Sequence, residues 1–217
     1  MKRDEEIIGR ILSHYERSWR PKPMDPFKSL VRTILSQNTN SRNQAAAYGR
    51  LEIEIGVTPE NIAVADIHDL SEAIRPAGMY NQRGKNLKDV AEAVIQRFDG
   101  DLTLVIEKPY HEARQVLMSL PGVGPKTADV VLMFVAGYDI VPVDRHIFRI
   151  SKRLGIVSEN ASYDDVRLAL EAATQKGRCE DVHVMLIQFG REICRAQNPE
   201  CPRCFLTDVC DYPEKKG

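Results

Sequence analysis

The chain has 217 residues, 30 Lys and Arg against 31 Asp and Glu, and a net charge of −1. That length allows one large domain or two small ones, each with a core of its own, and excludes a long repeat array; the balanced total excludes a uniformly basic nucleic-acid-binding surface. Charge is uneven along the chain, with ten basic and five acidic side chains in residues 1–50 and five and ten in residues 51–101, so a polyanionic partner would meet a local basic face.

Charges interrupt the apolar residues of MKRDEEIIGRILSHYERSW, which therefore lacks the uncharged core of a secretory signal. The best apolar run, Val130 to Gly137, is closed by Asp129 and Asp139 and is far shorter than the roughly 18 residues of a membrane span. The expectation is a soluble, monomeric, intracellular protein of the cytoplasm or nucleoid, with no membrane partner. Four of the five cysteines fall between Cys194 and Cys210, a spacing that suits a metal cage in a reducing compartment better than a secreted disulfide framework.

Asp25-Pro26 is a capping residue followed by proline, and Phe27, Leu30, Val31, Ile34 and Leu35 then recur at helical spacing, so a helix is predicted to end near Gln37. Thr58-Pro59 repeats the start signal, and Leu87, Val90, Ala91, Val94, Ile95 and Phe98 form a second apolar stripe. Val116, Leu117 and Leu120 lead into a glycine-bearing turn. Asp144 opens a helix over His146 to Leu154 with Gly155 as its stop, and Ser162 to Asp165 reads as an acidic capping box before a helix ending near Gly177. Strand signals are nearly absent, so the predicted class is all-α with short loops.

Between two apolar helices stands Leu120-Pro121-Gly122-Val123-Gly124-Pro125-Lys126-Thr127. Glycines at 122 and 124 permit backbone angles and close approach that leave amides pointing outward, a natural cradle for phosphate; an ordinary tight helix-helix turn is the plainer reading. Pro125 suits the first helical position, which puts Lys126 in the first turn at the positive end of the helix dipole. A lysine with the ordinary pKa of ~10.4 is neutral in only about one molecule in 2500 at pH 7. That helix end and partial burial both favour the neutral, nucleophilic amine.

LPGVGPKTA at Leu120–Ala128 resembles the helix-hairpin-helix of the endonuclease III family of DNA glycosylases. Further pieces follow suit: Leu35-Ser36-Gln37-Asn38-Thr39-Asn40 is similar to its damaged-strand loop, Gly78-Met79-Tyr80-Asn81 to its wedge loop, and Val143-Asp144-Arg145-His146 to its catalytic aspartate segment. The resemblance implies a six-helix barrel with the hairpin over residues 20–138, and a helical iron–sulfur domain from 1–19 plus 139–217, the two flanking a DNA-binding cleft. It implies a bifunctional enzyme that removes damaged, mainly oxidised, pyrimidines from double-stranded DNA and cleaves abasic sites by β-elimination. Lys126 would be the Schiff-base nucleophile and Asp144 the carboxylate that manages protons, although Asp144 read alone is equally a cap for the helix beginning at Arg145. Gln37, Met79, Gly122, Val123, Gly124 and His146 would contact DNA. Two positions depart from the pattern: Asn40 stands where bacterial relatives often have Asp, and Pro125 where Arg or Lys is frequent. A monofunctional mismatch glycosylase, in which Ser or Tyr usually replaces the hairpin lysine, and a non-catalytic DNA-binding module are the rival readings.

Cys194-x6-Cys201-x2-Cys204-x5-Cys210 supplies four thiolates within seventeen residues, enough for tetrahedral zinc or a [4Fe-4S] cluster, and spacing alone does not choose. The resemblance implies the cluster. Cys179 is left over, and Arg195 and Arg203 are either phosphate contacts or solvated charges.

Overall fold

The computed structural model describes residues 2–16 and 23–212. Among them are twelve α-helices and no strand: α1 (Arg3–His14), α2 (Pro26–Ser36), α3 (Ser41–Glu54), α4 (Pro59–Val64), α5 (Ile67–Ala73), α6 (Tyr80–Phe98), α7 (Thr103–Ile106), α8 (Tyr110–Met118), α9 (Pro125–Ala136), α10 (Arg145–Arg153), α11 (Tyr163–Ala173) and α12 (Cys179–Glu192). The all-α expectation holds.

Where a local signal names a helix start, that residue makes the cap. Asp25 accepts from the Lys28 amide at 2.9 Å and Thr58 from the Asn61 amide at 3.2 Å. Ser162 and Asp165 exchange side-chain-to-amide bonds of 3.2 and 2.8 Å. Each cap satisfies amides that the first turn leaves without a helical acceptor. One boundary differs from expectation, because α11 ends at Ala173 and not near Gly177. Gly177 instead belongs to the turn before α12, and its amide and that of Cys179 donate to Asp139 at 2.6 and 3.1 Å.

Contacts divide the chain into two compact units, Met1–Pro21 with Asp139–Gly217, and Lys22–Tyr138. The expected junction between residues 19 and 20 lies outside the described residues. In the first unit, Ile7, Ile8 and Ile11 of α1 join Ile147 and Ile150 of α10, Val166 and Leu170 of α11, Val182, Leu186 and Phe189 of α12, and Leu206 in one core. Burying each such side chain contributes about 1.5–3 kcal/mol. Gly190 allows α12 to close on α10, since a Cβ there would fall 2.9 Å from that of His146.

In the second unit α4 packs along α6, while α2 and α8 pack against α9. Leu30, Val31, Ile34 and Leu35 of α2, Leu87, Val90 and Val94 of α6, and Val131 and Leu132 of α9 are buried. Asp129 of α9 is fully buried and accepts from the Tyr110 hydroxyl at 3.0 Å and Arg114 Nε at 2.9 Å. That charge-assisted pair fixes α9 to α8, the two helices that bracket the hairpin, and removing Arg114 would leave a costly buried carboxylate.

Candidate active site and metal centre

The hairpin in the Lys22–Tyr138 unit turns on Gly122, whose φ of +68° is strained for any residue with a Cβ. Gly124 is extended, at φ −95° and ψ 178°, and caps α9 with its backbone alone. Its conformation needs no glycine, and among the described residues beyond its chain neighbours no atom stands within 4 Å of where its Cβ would be, which leaves the backbone there approachable. Val123 departs from the expected outward cradle: its side chain is buried and its amide donates to the Leu120 carbonyl at 3.2 Å, closing the turn. The amides of Gly122 and Gly124 have no acceptor among the described residues, so these two suit an external anion. Lys126 is half-buried in the first turn of α9, where the helix dipole is positive.

Gln37, the C-terminal cap residue of α2, donates from Nε2 to Thr127 Oγ1 at 3.2 Å, so its side chain lies against the residue next to Lys126. Met79 is 63% exposed and sits at φ +50° at the N-cap of α6. Arg83 links the two segments. It is 5% exposed, its Nε donates to the Gly78 carbonyl at 3.1 Å, its Nη2 to the Gln37 carbonyl at 2.8 Å, and its Nη1 to the Ile34 carbonyl.

In the other unit Asp144 is half-buried at the N-cap of α10, and its Oδ1 accepts from the amides of His146 and Ile147 at 2.8 and 2.9 Å. Both cap bonds use Oδ1, so capping does not engage Oδ2. His146 is half-buried in the first turn of the same helix, with Nδ1 3.2 Å from an Arg149 nitrogen. Burial lowers its pKa; Asp144 opposes, while Arg149 and Arg191 push the same way. The shift favours the neutral imidazole.

The cysteine loop follows α12 and leans on α10. Arg149 donates to the Cys194 carbonyl at 2.7 and 3.1 Å and to the Gly190 carbonyl at 3.0 Å. Arg153 reaches the Arg195 carbonyl at 2.7 Å and Cys194 Sγ at 3.6 Å, and the Cys210 thiol donates to the Arg153 carbonyl at 3.4 Å. The four thiols are neighbours: burial raises the Cys204 pKa, and Cys194, Cys210 and Cys201 each raise it further. Among the described residues, the one trio of His, Cys, Asp or Glu ligand atoms within 4.8 Å of one another is exposed Asp66, His68 and Asp69. Arg195 is paired with Glu200.

Residues 31–176 match the HhH-GPD superfamily of base excision DNA repair proteins. Endonuclease III of Thermotoga maritima is 32% identical over 213 residues, 98% of this chain and 94% of that protein. Endonuclease III of Sulfolobus acidocaldarius is 34% identical over 88% of this chain and 84% of its own. The chain belongs to the endonuclease III family. A solved trapped covalent intermediate of an endonuclease III with DNA, an estranged-adenine complex, is 28% identical and superposes with a TM-score of 0.83 over 97% of this chain and 96% of that one. A thermostable thymine-DNA glycosylase is 26% identical, with a TM-score of 0.82 over 99% and 98%.

In this endonuclease III family member, the structure brings Gln37 beside Thr127 and ties the Gln37 and Met79 segments through Arg83, while Lys126 and Asp144 belong to different units. Sequence reasoning missed Arg83, Arg149 and Arg153. A signal for the first was present: Arg83 lies four residues before Leu87 and seven before Val90, on the apolar stripe of α6, where a buried guanidinium must find acceptors.

Proposed function

We propose that this protein is a bifunctional DNA base-excision repair enzyme that removes oxidised pyrimidines and cleaves the resulting abasic site through a Schiff base on Lys126. The observation that carries this reading is a lysine in the first turn of the helix behind the Leu120–Thr127 hairpin, in a chain of the endonuclease III family. The Lys126 nitrogen attacks C1′, the N-glycosidic bond breaks, and the base leaves with the electron pair and gains a proton. The sugar ring opens to an imine, a proton is lost from C2′, the C3′–O bond breaks, and water hydrolyses the imine to regenerate the amine. Asp144, through the carboxylate oxygen not used in capping, would hold and move the protons of these steps. Gly122 and Gly124 amides would take a phosphate, Gln37 would address the orphaned base and Met79 fill the emptied stack. His146, beside the capping aspartate, would meet the DNA backbone as a hydrogen-bond donor.

Cys194, Cys201, Cys204 and Cys210 would hold a [4Fe-4S] cluster; four neighbouring thiols on one loop are the donor set that such a group needs. Bound there, it cross-links the loop by iron–thiolate bonds.

The test is borohydride trapping on duplex DNA bearing an abasic site. The parent should give a covalent adduct, while Lys126→Gln should bind the same duplex and give none, since only the amine forms the imine. Similarity to the thymine-DNA glycosylase favours a second reading, a monofunctional mismatch enzyme, which predicts base release from a mismatched duplex and no adduct with the abasic one.

A further inference from the structure

We propose that Arg83 is a positioning residue for base extrusion, setting the Gln37 and Met79 segments in one fixed relation so that both side chains enter the duplex together. This rests on the glycosylase/lyase reading above. Three donors of one guanidinium reach three carbonyls on two segments far apart in sequence: Gly78, adjoining Met79, and Ile34 with Gln37 at the end of α2. The Arg83 amide also donates to the Met79 carbonyl at 2.9 Å.

Such an arrangement is expensive if stability is its only purpose. A guanidinium 5% exposed with no carboxylate partner among the described residues forfeits hydration and regains it only through these carbonyls. An apolar residue at this position of the α6 stripe would extend the core at less cost. What the charge adds is a rigid planar fork spanning both segments, which a single ammonium would not duplicate.

The same helix face continues the support. Asn86, three residues on, stands 3.3 Å from where a Cβ of Gly122 would lie, so α6 underlies the wedge segment, the Gln37 segment and the hairpin in turn. Gln37 then passes the constraint to Thr127, beside Lys126. Met79 is held left-handed and 63% exposed at the end of this support.

The experiment is a double-mutant cycle read by single-turnover excision of an oxidised pyrimidine and by fluorescence of a 2-aminopurine beside the lesion. Arg83→Gln should lower both excision and the extrusion signal by about tenfold or more, the scale of losing hydrogen bonds from a charged donor. Arg83→Lys should restore part of both. In a Gln37→Ala, Met79→Ala background, Arg83→Gln should cost less than about threefold, because the residues through which it acts are gone. If Arg83→Gln does not fold, by circular dichroism, Arg83→Lys carries the same cycle. Equal losses in the two backgrounds, or parental excision by a folded Arg83 variant, would overturn the proposal. A parent that neither excises nor traps would defeat the underlying glycosylase/lyase reading instead.

Discussion

Asp144 caps α10, and the function proposed above gives it a second, chemical task that substitution can separate from the first. Its Oδ1 accepts the amides of His146 and Ile147, a bond pair that an asparagine oxygen or a serine hydroxyl can keep. Asp144→Asn and Asp144→Ser should therefore lose less than about 1 kcal/mol, chiefly the favourable charge at the helix N-terminus. Asp144→Ala leaves both amides without the cap and should lose about 1 kcal/mol more, or about 2–4 °C in Tm for a protein of this length. All three remove the carboxylate, so excision of an oxidised pyrimidine in single-turnover assays should fall by about 10²- to 10⁴-fold in each, whatever the stability. Cleavage at a ready-made abasic site should fall less, since no glycosidic bond remains to be broken. The reasoning fails if Asp144→Asn excises within a few-fold of the parent, or if excision follows Tm across the three variants, because Asp144 would then be only a cap.

The purified protein should be brown and contain iron and acid-labile sulfide, with Cys204→Ser losing both; a colourless, folded protein with stoichiometric zinc would refute the cluster. Gly122→Ala, at φ +68° with the Asn86 side chain 3.3 Å from the new Cβ, should cost about 1–2 kcal/mol by thermal unfolding and weaken binding to abasic duplex, whereas a parental Tm would show the turn to be unstrained. His146 should titrate below its ordinary value by NMR, since burial lowers its pKa. Just below pH 6.5 the unfolded chain then binds more protons than the native one, so this contribution to stability is complete above about 6.5 and is lost as pH falls toward the native value. His146→Gln should flatten that part of the stability curve, and an unchanged slope would count against the assignment.

What was legible in the sequence is what is chemically local. Asp25, Thr58, Asp144 and Ser162 each satisfy amides two or three residues ahead, so residue type and spacing announce the bond. The hairpin and the four cysteines are equally local. The start of α12 was not legible, because its leading amides are held by Asp139, nearly forty residues earlier, and Arg178 at its N-cap makes no side-chain cap. Val123 misled for a related reason: Gly-x-Gly signals a turn but not which amides the turn consumes, and here the middle one is spent on Leu120.

The residues that brace the candidate site follow a different rule from the candidate reactive residues themselves. Lys126, Asp144 and the cysteines stand out by residue type, whereas Arg83, Arg149 and Arg153 are ordinary arginines until tertiary structure supplies their acceptors, which are mostly backbone carbonyls. A carbonyl acceptor leaves no mark in the sequence, since every residue has one. The same fact makes these arginines hard to replace: no side-chain change on the acceptor side can compensate for losing the donor. In α10 the consequence is direct. Arg149 joins Gly190, Cys194 and His146, so the helix that begins at Asp144 is braced within its second turn by the loop that carries the thiols, and the cysteine loop contributes to the placement of the aspartate through packing and hydrogen bonds alone.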